Sequence, residues 1–483
     1  MSISNLIKRL QTIMRQDAGI NGDAQRIEQI VWMLFLKVYD AKEEFWEFHD
    51  DDYLSIIPED FRWRNWAVDN KDGKALTGEK LLNFINNELF PTLKSLEIDE
   101  HTKRRSSIVK EIFEDAHNFM KDGVYLRQVI NIIDEVDFTD YEERHAFNDI
   151  YETILKDLQS AGNSGEYYTP RALTDFISEV LKPQVNDKVA DFACGTGGFL
   201  ISFLSYLLKN DLIKTPEDKA LVNQNVYGIE KKPLPHLLCM TNMLLHNIDE
   251  PNILHGNSLE KNVREYKEDD KFDVIMMNPP YGGTEGNSIK SNFPVEMQSS
   301  ETADLFMALI LYRLKNNGRC GVVLPDNFLF GEDNARVAIK EKLLNECNLH
   351  TIVRLPHGVF APYTDITTNL LFFDKTGSTK DIWFFEHPLP IGYKNYTKTK
   401  PIRLEEFNLE LDWWDNRVEH EFAWKVSIDE IKERKYNLDI KNPNKIDEAL
   451  EDKSSIELLK DFKLSCKRIM DIIDSLEKEL DHE

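Results

Sequence analysis

The residues with the clearest capacity for chemistry are Asn278, Pro279, Pro280 and Tyr281, which directly follow the apolar run 272–277. Such a run, with β-branched members, is typical of a strand buried on both faces of a parallel sheet, so Asn278 should lie at the carboxyl end of a core strand. The prolines have no N–H group and push Asn278 towards an extended conformation. They leave hydrogen-bond acceptors: the Asn278 side-chain oxygen and the backbone carbonyls of Asn278 and Pro279.

These acceptors, with an aromatic ring beside them, suit a planar group that carries an amino group. The acceptors would hold the two N–H donors while the ring of Tyr281 stacks on the plane. The alternative is a strand end that is merely turned by prolines and glycines. Ligands of open α/β sheets bind at the carboxyl ends of the strands, which favours a site here.

Polar residues also follow three other predicted strands. One leads through Asp191 into the glycine-rich turn 194–198, Glu230 ends the next, and Asn257 follows the third. Glycines let the backbone approach a ligand closely, and Asp191 could meet a positive charge. A dinucleotide site is the alternative, but Glu230 lies about twice as far along the chain as the roughly 20 residues that the dinucleotide fingerprint prefers. Four polar strand ends along one edge are hard to explain by packing alone.

Length and composition indicate a globular protein of several domains. The chain has 483 residues, which is too long for one ordinary core, and 41% of them are hydrophobic. Its apolar runs are too short for a membrane span, and the N-terminus lacks the pattern of a signal peptide. The five cysteines show no metal-type spacing. We therefore expect no membrane association, no metal site, and reduced thiols in the cytoplasm.

The net charge of −26 is unusual for a protein that acts on nucleic acid. DNA binding depends on Lys and Arg side chains that neutralise phosphates, and this chain as a whole would be repelled. Either the substrate is not a nucleic acid, or a partner supplies much of the positive surface.

The elements that would position these residues divide the chain into three parts. Residues 1–145 show helical apolar stripes, with Lys103, Arg104 and Arg105 as a candidate phosphate contact or a solvated face. Residues 146–435 contain the strands, and residues 436–483 form a helical tail for partner docking. The tail carries an apolar stripe at steps of three and four, which calls for a partner helix or for packing on its own domain. The stripe consists of Leu459, Phe462, Cys466, Ile469, Ile473, Leu476 and Leu480.

Four other stretches of the α/β region are candidates for function. Thr169 and Pro170 resemble an N-cap followed by a proline at the first helical position. The polar stretch 283–302 predicts a mobile segment near the acceptor site, or disorder. Phe360 is either a second stacking face for a base or a core aromatic. The basic and aromatic residues 393–403 have the composition of a nucleic-acid contact, although a solvated loop would look the same.

The order of these motifs resembles the gamma arrangement of adenine methyltransferases, and the whole set is similar to the modification (HsdM) subunit of type I restriction-modification systems. The motifs are Tyr168-Thr169-Pro170, the Asp191 turn, Glu230, and Asn278-Pro279-Pro280-Tyr281. The resemblance implies an α/β, Rossmann-like S-adenosyl-L-methionine-dependent methyltransferase core with a mostly parallel sheet, between an all-helical N-terminal domain and a helical tail. The expected product is N6-methyladenine in DNA.

The resemblance also implies a role for each residue of the motifs. Glu230 would take the cofactor ribose, and Asn257, at a position more often acidic in related enzymes, would lie by its adenine with Ser258 and Leu259. Asn278 and Pro279 would bind the target amino group, with Asn278 also beside the cofactor, and Tyr281 would stack on the extruded base. The residues expected to hold the methionine part are Tyr168, Thr169, Pro170, Asp191, Ala193, Gly195, Thr196, Gly197, Gly198 and Phe199.

Partners follow from the same resemblance. After residue 403 the chain is too short for a separate target-recognition domain, and nothing in it resembles a nuclease or a helicase Walker loop. The expectation is a separate specificity subunit with two copies of this chain, together with a restriction or translocase subunit, acting on DNA. The alternatives are a methyltransferase for RNA or protein glutamine, and a non-catalytic subunit that binds the cofactor only for assembly.

Overall fold

The computed structural model describes residues 3–98, 104–138 and 168–444, together with Lys463, Lys467 and Met470. Residues 3–138 contribute helices, and residues 168–444 form an α/β domain around one sheet. Within these described ranges, none of the helices has the length and apolar character needed to cross a membrane. The predicted boundary at 145/146 and the apolar stripe of the tail lie outside the described residues.

The N-terminal helices surround a core of aromatic and aliphatic side chains. Gly22, with a φ of 91°, separates the first two helices where the sequence predicts a break. Trp32 on the second helix meets Phe90 edge to face, with 5.0 Å between ring centroids. A π-helical turn, Ile85–Leu89, joins α4 to α5. The helices are α1 (Ile3–Met14), α2 (Asp23–His49), α3 (Trp63–Trp66), α4 (Gly78–Phe84), α5 (Phe90–Lys94), α6 (Arg104–Asp115) and α7 (Gly123–Asp134).

The sheet has nine strands among the described residues, in the order β3-β2-β1-β4-β5-β7-β6-β8-β9. Only β7 and β9 run opposite to the others, which confirms the prediction of a mostly parallel sheet. The strands are β1 (Val189–Asp191), β2 (Val226–Glu230), β3 (Asn252–His255), β4 (Phe272–Met277), β5 (Leu314–Pro325), β6 (Asn348–Arg354), β7 (Thr368–Asp374), β8 (Asp381–Glu386) and β9 (Ala423–Ser427).

The strand order places a topological switch point between β1 and β4. From β1 the chain moves outward through β2 and β3, and it then returns to β4 on the other side of β1. The carboxyl ends of β1 and β4 therefore border the crevice in which open α/β sheets bind their ligands. These are the ends that carry Asp191 and Asn278.

Helices pack on the sheet and cover its apolar residues. The most central is the helix of residues 302–313, of which all but Tyr312 are buried. The helices are α8 (Arg171–Leu181), α9 (Gly198–Lys209), α10 (Pro216–Asn225), α11 (Pro233–Leu245), α12 (Asn287–Lys290), α13 (Thr302–Arg313), α14 (Asp326–Phe330), α15 (Asn334–Glu346), α16 (Asn408–Trp414) and α17 (Ile428–Glu433).

The helical region is fixed to the α/β domain at the outer edge of the sheet. Helix α2 packs against α11. The Lys42 ammonium donates to Asn247 Oδ1 at 2.8 Å and to Asp249 Oδ1 at 3.0 Å. Arg104 Nη2 donates to the carbonyl of Ile253, in β3, at 3.0 Å. These contacts lie one strand away from Glu230.

Arg104 and Arg105 of the basic cluster are held by contacts inside the molecule, and Lys103 lies outside the described residues. Arg104 pairs with Glu111 as well as with the β3 backbone. Arg105 pairs with Asp50, and its guanidinium lies 4.7 Å from the centroid of the Tyr53 ring. The interpretation of these arginines as a phosphate contact or a solvated face is therefore wrong, because both are held by acidic and aromatic neighbours from distant helices.

The polar stretch 283–302 is folded, which corrects the expectation of disorder. The side chains of Phe293 and Met297, which belong to this stretch, are buried. The backbone amide of Thr302 donates to the carbonyl of Gly283 at 3.0 Å, which joins the two ends of the stretch. The Asn292 amide donates to the carbonyls of Leu259 and Glu260. The stretch is thereby attached to the loop that follows β3, beside the predicted site.

In the second half of the sheet, β6 ends at Arg354, before Phe360, and the strands β8 and β9 complete the far edge. Beyond Lys435 the chain still packs on the domain, since Leu438 and Ile440 are buried. Residues 436–444 of the predicted tail thus lie against the α/β domain.

The described cysteines are buried and unpaired, as the composition predicts. They are Cys194, Cys239, Cys320 and Cys347.

Candidate active site at the switch point

The side chain of Asn278 lies at the carboxyl end of β4, between two hydroxyl groups. Its Nδ2 donates to Thr169 Oγ1 at 3.0 Å, and its Oδ1 accepts from the Tyr281 hydroxyl. Asn278 and Thr169 are half-buried, whereas Tyr281 is buried. We call these three residues the edge cluster. They bring together two of the predicted motifs, which are far apart in the sequence.

Thr169 does not cap a helix, which corrects the prediction from the Thr-Pro pair. Helix α8 begins at Arg171, and Pro170 occupies the N-cap position with an extended ψ of 136°. The backbone amides of Leu173 and Thr174 donate to the carbonyl of Pro170, at 2.9 Å and 3.3 Å. Because Pro170 itself holds the N-cap position, Thr169 lies one residue too early to cap. Its hydroxyl is available to Asn278 instead.

The glycine-rich turn after β1 needs its two left-handed glycines for different reasons. Gly195 has a φ of 53°, and a Cβ added there would meet nothing within 4 Å. Gly197 has a φ of 84°, and a Cβ there would lie 2.9 Å from Cys239 Sγ. Gly197 is thus required by packing, while Gly195 borders open space. The turn leads directly into α9 at Gly198, as predicted.

Asp191 is a buried acid at the end of β1. Only 1% of its surface is exposed, and its Oδ1 accepts from the Ala193 amide at 3.1 Å. Burial raises the pKa of this carboxyl well above its ordinary value, and the nearby Glu230 carboxylate raises it further. Burial and Glu230 both disfavour the ionised form of this carboxyl. A positively charged ligand would stabilise that form, so the position favours binding of a cation.

Glu230 fixes the glycine turn to the end of β2. Its Oε2 accepts from the Gly195 amide at 2.9 Å, and its Oε1 accepts from the Lys232 amide at 2.8 Å. Each carboxylate oxygen keeps further acceptor capacity after one such bond. Glu230 can therefore hold the turn and still accept hydrogen bonds from a pair of ligand hydroxyls.

The residues after β3 form a turn that faces the same crevice. Asn257 is half-buried, and its Oδ1 accepts from the Leu259 amide at 3.1 Å. Ser258 is buried, and its Oγ donates to the carbonyl of Phe192 at 2.5 Å. Leu259 is fully buried. Ser258 thus ties the third strand end to the first, and Leu259 supplies an apolar floor.

Three of the remaining turn residues differ in exposure. Ala193 and Thr196 are half-buried, and Phe199 is buried. The carbonyl of Thr196 accepts from Asn242 Nδ2 at 3.0 Å, which holds the turn against α11.

Arg171 is a site residue that we did not predict. Its Nη1 donates to the carbonyl of Gly198 at 2.8 Å, and its guanidinium lies 5.9 Å from the centroid of the half-buried Tyr168 ring. Arg171 therefore joins the 168–170 segment to the glycine turn. Its place directly after the Tyr-Thr-Pro motif is the only sequence signal that could have pointed to it.

The two predicted stacking rings are both buried in this structure. Tyr281 is 6% exposed and Phe360 is 2% exposed. Phe360 therefore occupies the place of a core aromatic, and neither ring shows an open face. Stacking of Tyr281 on a base therefore stays a prediction.

The basic segment 393–403 divides into a buried and an exposed part. Tyr396 is fully buried, and its hydroxyl donates to Glu406 Oε2 at 2.8 Å and lies 3.2 Å from His387 Nε2. His387 Nδ1 lies 2.5 Å from Glu410 Oε1, and both of these side chains are completely buried. We call His387, Tyr396, Glu406 and Glu410 the interior cluster. The lysines of the segment, Lys394, Lys398 and Lys400, are exposed.

The arrangement suits transfer to an amino group better than reactions that need a strong base. At the end of β4 it offers amide and carbonyl acceptors, and at the ends of β1 and β2 it offers acids beside an open glycine turn. Among the residues described, no group of His, Cys, Asp and Glu is placed to hold a metal ion.

Two family profiles match the chain and together cover most of it. The profile of the N-6 DNA methylases matches residues 142–452, and the profile of the HsdM N-terminal domain matches residues 3–133.

Individual relatives agree with these profiles. The chain is 54% identical to the methylase subunit of the type I restriction enzyme EcoEI from Escherichia coli, over 92% of this chain and 91% of that protein. It is 30% identical to the StySPI methylase subunit from Salmonella potsdam, over 77% of this chain and 68% of that protein.

Solved structures of high similarity have the same fold. A modification subunit from Vibrio vulnificus YJ016 matches with a TM-score of 0.82 and 41% identity, over 93% of this chain and 98% of that chain. A chain of a type I restriction-modification system matches with a TM-score of 0.81 and 35% identity, over 100% of this chain and 99% of that chain.

Proposed function

Because the chain belongs to the N-6 DNA methylase family, and within it to the methylase subunits of type I restriction enzymes, we propose that it transfers a methyl group from S-adenosyl-L-methionine to the N6 amino group of adenine in DNA. The observation that carries this proposal is the edge cluster, in which Asn278 presents acceptors at the switch point of the sheet. Family membership supplies the reaction, and the cluster supplies the residues that would perform it.

Asn278 and Pro279 bind the amino group of the target base. The Asn278 side-chain oxygen and the Pro279 carbonyl accept its two N–H bonds, and the adjacent prolines keep these acceptors rigid. Hydrogen bonds from the amino group leave its lone pair pointing at the methyl donor. The residues thus position the nitrogen for in-line attack, and positioning supplies most of the rate. No strong base is required before the methyl moves, since the proton leaves afterwards.

The cofactor-binding residues are those at the ends of β1, β2 and β3. Asp191 and the turn 193–199 would face the methionine part, together with Tyr168, and Glu230 would accept the ribose hydroxyls. Asn257, Ser258 and Leu259 would border the adenine ring. When bound there, S-adenosyl-L-methionine supplies a methyl group activated by a sulfonium. The open space beside Gly195 and the raised pKa of Asp191 fit a cationic ligand with a close backbone contact.

Target recognition requires a partner in this proposal. The chain carries a net charge of −26, so a specificity subunit would contribute most of the phosphate contacts and the reading of bases. Two copies of this chain would bind each specificity subunit, and a restriction subunit would join the same complex. The exposed lysines 394, 398 and 400 would add local contacts to the DNA backbone.

The test is transfer of labelled methyl from S-adenosyl-L-methionine to genomic DNA by the purified chain, with and without the specificity protein from the same source. Hydrolysis and mass spectrometry of the nucleosides identify the product. Labelled N6-methyladenine that forms only with the partner supports the proposal. Transfer without the partner would contradict the assignment of target recognition to a separate specificity subunit. Absence of transfer to DNA in both reactions, with labelling of RNA or protein, would overturn the DNA assignment.

A further inference from the structure

The orientation of the Asn278 amide decides whether it can accept a hydrogen bond from the target amino group. The two ends of a carboxamide have nearly the same shape, and the terminal torsion is broad and roughly two-fold. A flip of the amide would present NH₂ to the amino group of the base, and two donors repel each other. Something beyond shape must therefore fix the oxygen on the substrate side.

The two hydroxyl groups beside Asn278 differ in a way that resolves its orientation. A phenol is more acidic than an aliphatic alcohol, so it is the better donor and the poorer acceptor. The Tyr281 hydroxyl therefore donates to Oδ1, and the Thr169 hydroxyl accepts from Nδ2 at 3.0 Å. With the amide flipped, the Tyr281 hydroxyl would have to accept from Nδ2 and the Thr169 hydroxyl would have to donate to Oδ1. Each hydroxyl would then serve in its weaker role.

The local backbone reserves the Thr169 hydroxyl for this bond. Pro170, with a φ of −52°, forms the N-cap, and this cap has no side-chain hydrogen bond. The amides of Leu173 and Thr174 are satisfied by the Pro170 carbonyl. Thr169 is also half-buried and held between Tyr168 and a rigid proline.

We propose that Thr169 is a positioning residue for catalysis, which sets the Asn278 amide so that its oxygen faces the target amino group. This inference rests on the proposed function, and it gives Thr169 a role other than the cofactor contact expected from its motif. Tyr281 occupies one lone pair of Oδ1, and a carbonyl oxygen has a second lone pair for the base. Thr169 acts on the amide alone and touches no reacting atom.

The test compares Thr169→Val, which keeps the shape but removes the hydroxyl, with Thr169→Ser, which keeps the hydroxyl. Both are assayed in the complex with the specificity protein, at saturating cofactor and DNA. We expect kcat of T169V to fall about 10- to 100-fold, as for other small losses of alignment, while T169S stays within a fewfold of the wild type. Calorimetry should give nearly equal dissociation constants for S-adenosyl-L-methionine in all three proteins.

Two outcomes would overturn the proposal while leaving the proposed function intact. If T169V binds the cofactor much more weakly but has a normal kcat at saturation, Thr169 is a cofactor contact. If T169S is as impaired as T169V, the hydroxyl is not what matters. A third comparison uses the Asn278→Ala background, in which T169V should cause no further loss, because there is no amide left to orient. Failure of the proposed function would instead show as absence of adenine methylation by the wild-type complex.

Discussion

The edge cluster and the interior cluster are both networks of hydrogen-bonded polar side chains, but they differ in what remains unsatisfied. In the edge cluster, Asn278 keeps acceptor and donor capacity and is half-buried at the end of a strand. In the interior cluster, His387 Nδ1 and Glu410 Oε1 are paired and completely enclosed, and the unpartnered Glu410 Oε2 is buried with them, away from any open surface. A buried polar network is therefore not in itself a sign of function. Unused hydrogen-bonding capacity at a switch point is the more informative feature.

The interior cluster should affect stability and leave catalysis unchanged. Glu410→Ala removes one member of a fully buried pair, and we expect the free energy of unfolding to fall by about 3–5 kcal/mol, the range for breaking such a pair. Urea denaturation measures the change. The matched control is Glu405→Ala, since Glu405 is exposed on the turn of residues 404–407 that directly precedes α16. A large loss of kcat in folded E410A protein would show that the interior cluster is part of the site.

The edge cluster should behave in the opposite way. Asn278→Ala removes an acceptor aimed at the substrate, and we expect methyl transfer to fall by about 10²- to 10³-fold, as when one preorganised hydrogen-bonding group is removed. Cofactor binding and the unfolding midpoint should change little. Asn287→Ala, at an exposed asparagine of α12, is the control. Unchanged turnover of N278A would remove the edge cluster from the catalytic machinery.

The smallest expected effect concerns Asp191, whose pKa is raised by burial. A cationic cofactor favours the ionised carboxylate, so binding should release a proton. The affinity for the cofactor should then increase as the pH rises towards the raised pKa of Asp191, and level off above it. The total increase should be up to about tenfold for each unit by which cofactor binding lowers that pKa. Titration calorimetry across pH should show this slope in the wild type and lose it in Asp191→Asn, because asparagine does not titrate. The same slope in both proteins would mean that the cofactor contacts another acid.

The sequence was sufficient to predict the strand ends of the site because their signals are local. An apolar run that stops at Asn278, and glycines that follow Asp191, are visible within a dozen residues. Parallel strands then bring their carboxyl ends to one edge without further information. In the sheet these strand ends follow the order Asn257, Glu230, Asp191 and Asn278, with the switch point between the last two.

The contacts between distant segments could not be predicted in this way. The bond from Asn278 to Thr169 joins residues 109 positions apart, and the local Thr-Pro pattern pointed to a cap instead. Arg104 and Arg105 looked free because Glu111, Asp50 and the β3 backbone are not recognisable as their partners from spacing alone. Phe293 and Met297 belong to a short group of apolar residues in a polar stretch, too short to give a periodicity from which packing could be inferred.

The way in which α11 is buried has a consequence for engineering hybrids of this protein. All residues from Pro235 to Leu245 are covered, and part of that cover is α2 of the helical region. Removing residues 1–138 would expose an apolar helix, so the α/β domain is not an autonomous cassette. Exchanging the helical region for that of a relative would require the α2 and α11 surfaces to be exchanged as a matched pair. The two regions would therefore have to be exchanged together, although they differ in architecture.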